Sequence, residues 1–257
     1  TSKSAVSNRP MACAPRSATR PRSPGRRATL GGDAAKTLLD EATAAVAACD
    51  AVILSDYDKG VLADGRAKAI IDAAAKAGVP VVADPKGDDF GRYAGADLVT
   101  PNRKELELAA KCRTEGDDDI AAAARSLIDA SNLGGLLVTR SADGMTLVGR
   151  DGAVHHLPAE SREVFDVSGA GDTVVAAVAA MIGTGADIKD AARVANTAAG
   201  IVVAKVGTAV CYASELIAAL HHKDLSDAEA KVLTDTQAIE RIQRWNRQGL
   251  KVGFTNG

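Results

Sequence analysis

Apolar and polar positions follow two different rhythms from Asp33 onward. Over 33–50, Leu38, Leu39, Ala42, Val46 and Ala47 recur at steps of one helical turn, which predicts a helix. The next five positions, AVILS (51–55), are almost wholly apolar and too short for a helix, so they read as a buried strand. The exchange then repeats. Helices are predicted over 64–78, closed by Gly78, from 102 onward, and over 117–130. Strands are predicted over 79–84, 96–100 and 134–140. Strands that alternate with helices and are apolar on both faces define a parallel sheet covered on both sides. Residues 144–158 break the alternation. Asp151-Gly152 separates two short strand-like runs there, which predicts a hairpin at a sheet edge. Two more helices are predicted, over 173–181 and 190–205. The expected class is α/β, a three-layer fold with a mostly parallel sheet and helices on both faces.

The first 32 residues do not share either rhythm. They hold four of the eight prolines, seven Lys or Arg and no acid. A basic segment with no fold of its own is expected there. It lacks the continuous apolar stretch of a secretory signal. Its Arg/Ser-rich character is like that of an organellar transit peptide, although the prolines oppose the amphipathic helix such a peptide forms; a tail that touches nucleic acid is the other reading. With a formal charge of −2 overall, the remaining residues carry −9. An acidic body argues against nucleic acid as a partner. No apolar run approaches the roughly 18 residues of a membrane span, so no membrane partner is expected. Cys13, Cys49, Cys112 and Cys211 are far apart, with no CxxC pair, which suits a reducing cytoplasm.

In open parallel sheets ligands collect at the carboxyl ends of the strands. Four polar segments fall there: SDYDKG (55–60), DPKGDD (84–89), TPNRKE (100–105) and TRSADG (139–144). A fifth segment, FDVSGAGDTVV (165–175), runs through a small-residue turn into a predicted helix. Backbone amides at Gly169, Ala170 and Gly171 can approach a ligand closely, and free amides at a helix start favour an anion such as phosphate. Asp172 would repel that anion unless it takes a proton from an attacking hydroxyl. Asp166 and Asp172 also read as ordinary helix caps. Asn102 and Glu105 read equally as a capping pair, and Lys86 as an exposed loop lysine. The turn is neither a GxxxxGK[ST] loop nor a GxGxxG fingerprint.

DVSGAGDT resembles the signature of the ribokinase-like (PfkB) carbohydrate kinases. LSDYDKGVL, DPKGDDFGRYAGADLVTPNRKELE, LLVTRSADGMTLV and ANTAAGIVVAKVGTA add to the resemblance in order. Within the family they are most similar to the branch that phosphorylates heptose 7-phosphate in ADP-heptose and lipopolysaccharide-core synthesis. The resemblance implies ATP and a sugar phosphate as small-molecule partners, Mg2+, a K+-type monovalent cation, and a homo-oligomer in the complete protein. It implies Asp172 as catalytic base, with Gly169, Ala170 and Gly171 as anion hole. It implies Asn102, Arg103, Lys104, Glu105, Thr139, Arg140, Gly144 and Asn196 on the ATP side, with Asn102 and Glu105 near Mg2+ through water molecules. Asp166, Val202, Lys205 and Gly207 would surround the monovalent cation, and Lys86 would meet phosphate. Another sugar or nucleoside kinase of the same fold, or a nucleotide-binding chain without turnover, stays open, because the family's glycine-rich sugar-binding strands and lid have no counterpart in this sequence. In SDYDKG, Asp58 stands where the family usually has a small residue. The expected organisation is a basic segment over 1–32, the C-terminal part of a kinase domain over 33–222, and over 223–257 a linker with the first helix and strand of a truncated nucleotidyltransferase domain.

Overall fold

A computed structural model describes residues 32–160 and 166–229, together with the isolated positions 239, 242, 243 and 253. The basic segment expected over 1–32 lies outside the described residues but for Gly32, and so does nearly all of the helix and strand expected beyond 233. The chain divides into two units, 1–211 and 212–257. Among the described residues the second unit is a helix, α7 (Ala213–Glu229), which the sequence pattern did not single out.

The first unit is built on one six-stranded sheet: β1 (Val52–Ser55), β2 (Val81–Asp84), β3 (Leu98–Val99), β4 (Gly135–Thr139), β5 (Met145–Gly149) and β6 (Val154–Leu157). The strands lie side by side in chain order. β1 to β4 are parallel, and β5 and β6 are antiparallel additions. The expected edge hairpin is therefore present, with Gly152 at φ +83° in its turn. β2 begins two residues later than the apolar run, because Pro80 has no N–H to give a ladder and contributes only its carbonyl, to Val52.

Two helical layers cover the sheet, and the strands' two-residue period sorts their side chains between them. Val81, Ala83, Leu136, Val138 and Val148 face a layer that includes α2 (Arg66–Ala77), α3 (Arg103–Ala110) and α4 (Asp117–Ser131). Val82, Leu98, Leu137, Met145 and Leu147 face α5 (Ala170–Gly183) and α6 (Ile188–Val203). The first helix, α1 (Gly32–Ala45), joins the former layer through Leu39 and Ala42. Leu38, expected on its inner face, is 37% exposed. No α-helix links β2 to β3. A short 3-10 turn over Phe90–Tyr93 does so, and both of its aromatic rings are buried edge-to-face in the core. This places the loops after β1, β2, β3 and β4 at one end of the sheet.

Candidate active site

The loop after β1 is fixed from below by a buried acid. Asp56 is 5% exposed. It accepts hydrogen bonds from the Tyr93 hydroxyl at 2.6 Å and the Asp58 N–H at 2.8 Å, and it pairs with Arg92 at 3.1 Å. Burial and the bond to Asp56 push the Tyr93 phenol well above its ordinary range, so it stays a donor. Asp58 sits at φ +52°, in the left-handed region. Only small or Asx side chains enter that region cheaply, which accounts for aspartate here.

β2 ends on Asp84, which the sequence reading passed over in favour of its neighbour Lys86. Its carboxyl is pushed up to about 6, first by burial and then by the negative charges of Glu105 and Asp172. Lys86 and a hydrogen bond from Thr100 pull the other way. Lys86 reaches Glu105 Oε1 at 2.8 Å, and this bond holds its ammonium charged. Glu105 does two jobs at once. Its Oε2 accepts the Asn102 N–H at 3.0 Å, while the Asn102 side chain accepts the Glu105 N–H at 3.0 Å. The capping box is real, and it leaves Oε1 directed at Lys86. Asn102 is bridged in parallel fashion to Thr139, so the ends of β3 and β4 meet.

Helix α5 starts at Ala170, three residues before the expected Thr173, because Gly169 takes φ +78° and turns the chain directly into it. Asp172 is thus the third helical residue. The Ala170 N–H donates back to the Val167 carbonyl at 3.2 Å. The amides of Gly169, Gly171 and Asp172 have no hydrogen-bond partner among the described residues. The Tyr57 hydroxyl donates to Asp172 Oδ1 at 3.3 Å, bringing the β1 loop to the start of α5.

Asp166 lies beside the same turn. Its carboxylate accepts the Ser168 N–H at 2.8 Å, which holds it below the ordinary carboxylate range. Its own N–H meets the Val203 carbonyl at 3.4 Å. The Lys205 N–H donates to Val202 at 3.0 Å, and Gly207 takes φ +75°. A Cβ on Gly169 would lie 3.5 Å from Thr208, so the loop after α6 rests against the glycine turn.

Four other candidates have their side chains or backbone engaged elsewhere, and a fifth is solvent-facing. Arg103 bonds Thr114 Oγ1 at 3.0 Å. Arg140 pairs with Asp117, holding that carboxyl low, and donates to the Asp143 carbonyl at 2.8 Å. Asn196 is buried and donates to the Pro158 carbonyl at 2.8 Å, tying α6 to the segment after β6. At Gly144 a Cβ would sit 2.0 Å from the Leu157 carbonyl oxygen, so close backbone crossing accounts for glycine there. Lys104 is exposed.

What the structure brings together is Tyr57, Asp84, Lys86, Asn102, Glu105, Thr139 and Asp172. Among the described residues no three His, Cys, Asp or Glu side chains are grouped so as to hold a metal unaided. Asp84 and Glu105 offer hard oxygen donors beside the Lys86 ammonium. That fits Mg2+, which is commonly held by one or two carboxylates together with substrate phosphates.

The charge on Asp84 yields a first prediction. Its carboxyl titrates near 6 in the folded chain against an ordinary 3.8. Between these values the folded state binds the extra proton, so its contribution to stability falls as pH rises from about 4 to about 6. Asp84→Asn removes that slope. In metal-free buffer its melting temperature should exceed wild type above pH 6 and match it near pH 4, while Mg-ATP binds more weakly. Parallel melting curves across pH 4–8 check this. A variant that melts lower than wild type at pH 7.5 contradicts it.

A glycine turn opening a helix, an acid in its first turn and strand-end carboxylates beside a lysine thus lie together on this α/β fold. The model of the pfkB family carbohydrate kinases matches residues 28–215, and the chain belongs to that family. The chain is 58% identical over 206 residues to the bifunctional protein HldE of Paramagnetospirillum magneticum, covering 80% of this chain and 42% of that protein. It is 49% identical over 223 residues to the protein of the same name from Rhodospirillum rubrum, covering 87% and 45%. It thus spans less than half the length of these relatives. The fold is similar to that of phosphofructokinase-2 from Escherichia coli in complex with potassium, with TM-score 0.66 and 20% identity over 76% of this chain and 63% of that one. It is also similar to Arabidopsis thaliana ribokinase complexed with ribose and ATP, with TM-score 0.62 and 23% identity over 70% and 59%. Among the described residues no helix is long and apolar enough to cross a membrane.

Proposed function

We propose that this chain carries the nucleotide and general-base half of an ATP-dependent kinase. The acceptor is D-glycero-β-D-manno-heptose 7-phosphate, phosphorylated at its anomeric hydroxyl to the 1,7-bisphosphate. One observation carries the reading: Asp172 stands in the first turn of α5 beside unpaired amides, close enough to Asp84 to raise that carboxyl's titration. The heptose assignment rests on the motif resemblance and agrees with the high identity to the HldE proteins.

In this reading the amides of Gly171 and Asp172 bind the transferring phosphoryl oxygens. Asp172 accepts the proton of the anomeric hydroxyl as that oxygen bonds to the γ-phosphorus and the bond to the β–γ bridging oxygen breaks, releasing ADP. Lys86, which reaches Glu105 at 2.8 Å, is within the same cluster and meets the γ-phosphate in this reading. Asp84 and Glu105 would hold Mg2+, and Asn102 fixes the Glu105 rotamer. When bound, the ion neutralises charge on the β- and γ-phosphates. Thr139 and the 139–144 turn line the nucleotide side. Asp166 and the carbonyls near Val202 would hold a monovalent cation beside the glycine turn. The protein acts in the cytoplasm as a homo-oligomer.

The test is ATP consumption by the purified chain with and without heptose 7-phosphate, alongside calorimetry with Mg-ATP. Mg-ATP should bind at millimolar concentration or better, and Lys86→Ala should weaken that binding about tenfold, the loss of one charge-assisted contact of roughly 1.4 kcal/mol. No heat and no thermal shift at millimolar Mg-ATP would end this reading.

A further inference from the structure

We propose that Tyr57 is a positioning residue for Asp172: its phenol donates to Oδ1 and so aims Oδ2 at the acceptor hydroxyl. The inference rests on the reading of Asp172 as the base. Tyr57 and Asp172 are 115 positions apart in sequence, yet their oxygens are 3.3 Å apart. The ring is 63% exposed, so burial gives it little reason to lie where it does.

The loop that carries Tyr57 is held at both ends by buried charged side chains that point inward. On one side is Asp56, bonded to Tyr93, Arg92 and the Asp58 N–H. On the other is Arg66, 8% exposed, which donates to the Gly60 carbonyl at 2.6 Å and the Val61 carbonyl at 2.8 Å. Asp58 and Gly60, at φ +52° and +86°, complete a turn that leaves little freedom to the backbone between them. A tightly pinned loop therefore presents an exposed phenol to the carboxylate.

A carboxylate in the first turn of a helix rotates about its Cβ–Cγ bond unless something holds its plane. One donor on Oδ1 does this and leaves Oδ2 as the proton acceptor. Misplacement of a reacting group by about 1 Å can cost on the order of a hundredfold in rate, so loss of this one constraint should cost about tenfold.

The test is Tyr57→Phe in the full chain, which keeps the ring and removes only the hydroxyl. Two readouts are used. With aspartate labelled at 13Cγ, the Asp172 resonance is assigned by its absence in Asp172→Asn. It should move in Tyr57→Phe while the Asp56 and Asp84 resonances stay in place. In the kinase assay, kcat should fall about tenfold with KM for ATP unchanged. An unmoved Asp172 resonance overturns the proposal whether or not the chain turns over. So does a moved resonance with a wild-type kcat. Wild-type protein that binds Mg-ATP but never transfers phosphate to the sugar overturns the kinase reading itself, and the proposal falls with it for that separate reason.

Discussion

Asp172→Asn should lower phosphoryl transfer by about 10²–10⁴-fold, the usual worth of a positioned general base, and leave Mg-ATP binding near wild type. Asparagine keeps the shape of the side chain and an oxygen on which the Tyr57 hydroxyl can donate. It loses the capacity to take the acceptor's proton. Asp172 is exposed, so no core packing changes. The acid does favour its position near the start of α5, and its loss there costs about 0.3–1 kcal/mol of stability. A large kinetic effect on a small thermal shift is therefore the expected signature. Coupled measurement of ADP release at saturating ATP, with melting curves on the same samples, checks it. If Asp172→Asn retains more than about a third of the wild-type rate, another group takes the proton. Asp84 is then the group to examine, since its carboxyl feels the Asp172 charge.

The layers of the fold were legible because the strands announce themselves. VILS, VVAD and GLLVT are short, apolar on both faces and separated by helical periodicity, and each became a strand. The run at 96–100 shrank to Leu98–Val99. Ala96 and Asp97 are spent on other bonds: the Ala96 carbonyl on Gly134, and the Asp97 side chain on the Val81 N–H at 2.7 Å. The site was legible in its parts and not in its assembly. DPKG drew attention to Lys86, because a lysine near a strand end suggests phosphate. Asp84 attracted none, because an acid in a loop is common, and only its burial and its placement beside Glu105 and Asp172 make its charge costly. Tyr57 was out of reach for the same reason: nothing in SDYDKG tells which distant carboxylate the phenol will meet. Arg140 and Asn196 show the converse. Their motif positions pointed to the nucleotide, while their side chains are engaged by Asp117 and Pro158.

Asp56 lies beneath this assembly, and Asp56→Ala should destabilise the fold by about 3–5 kcal/mol, the cost of leaving a buried charge without its partner. The Asp56 side chain is 3% exposed and that of Arg92 19%, so solvent can do little for the guanidinium once the acid is gone. Arg92 keeps one bond, to the Leu62 carbonyl at 3.1 Å, which places the loss toward the lower end of that range. The buried Tyr93 hydroxyl loses its acceptor at 2.6 Å, and the Asp58 N–H loses the contact that supports its left-handed turn. Asp56→Asn keeps the shape and an acceptor but not the charge, so it should cost less. Urea unfolding monitored by circular dichroism, with the double variant Asp56→Ala/Tyr93→Phe, separates the contributions. If part of the penalty is the stranded hydroxyl, the double variant should be less unstable than the sum of the two singles. A single-variant loss below about 1 kcal/mol would mean that the pair is hydrated in solution and that the β1 loop does not depend on it. Positioning of Tyr57 over Asp172 would then need another source of rigidity. If the loss is as large as expected, residual activity in Asp56→Asn should track the Asp172 resonance, because the buried acid acts on the chemistry only through the loop it holds.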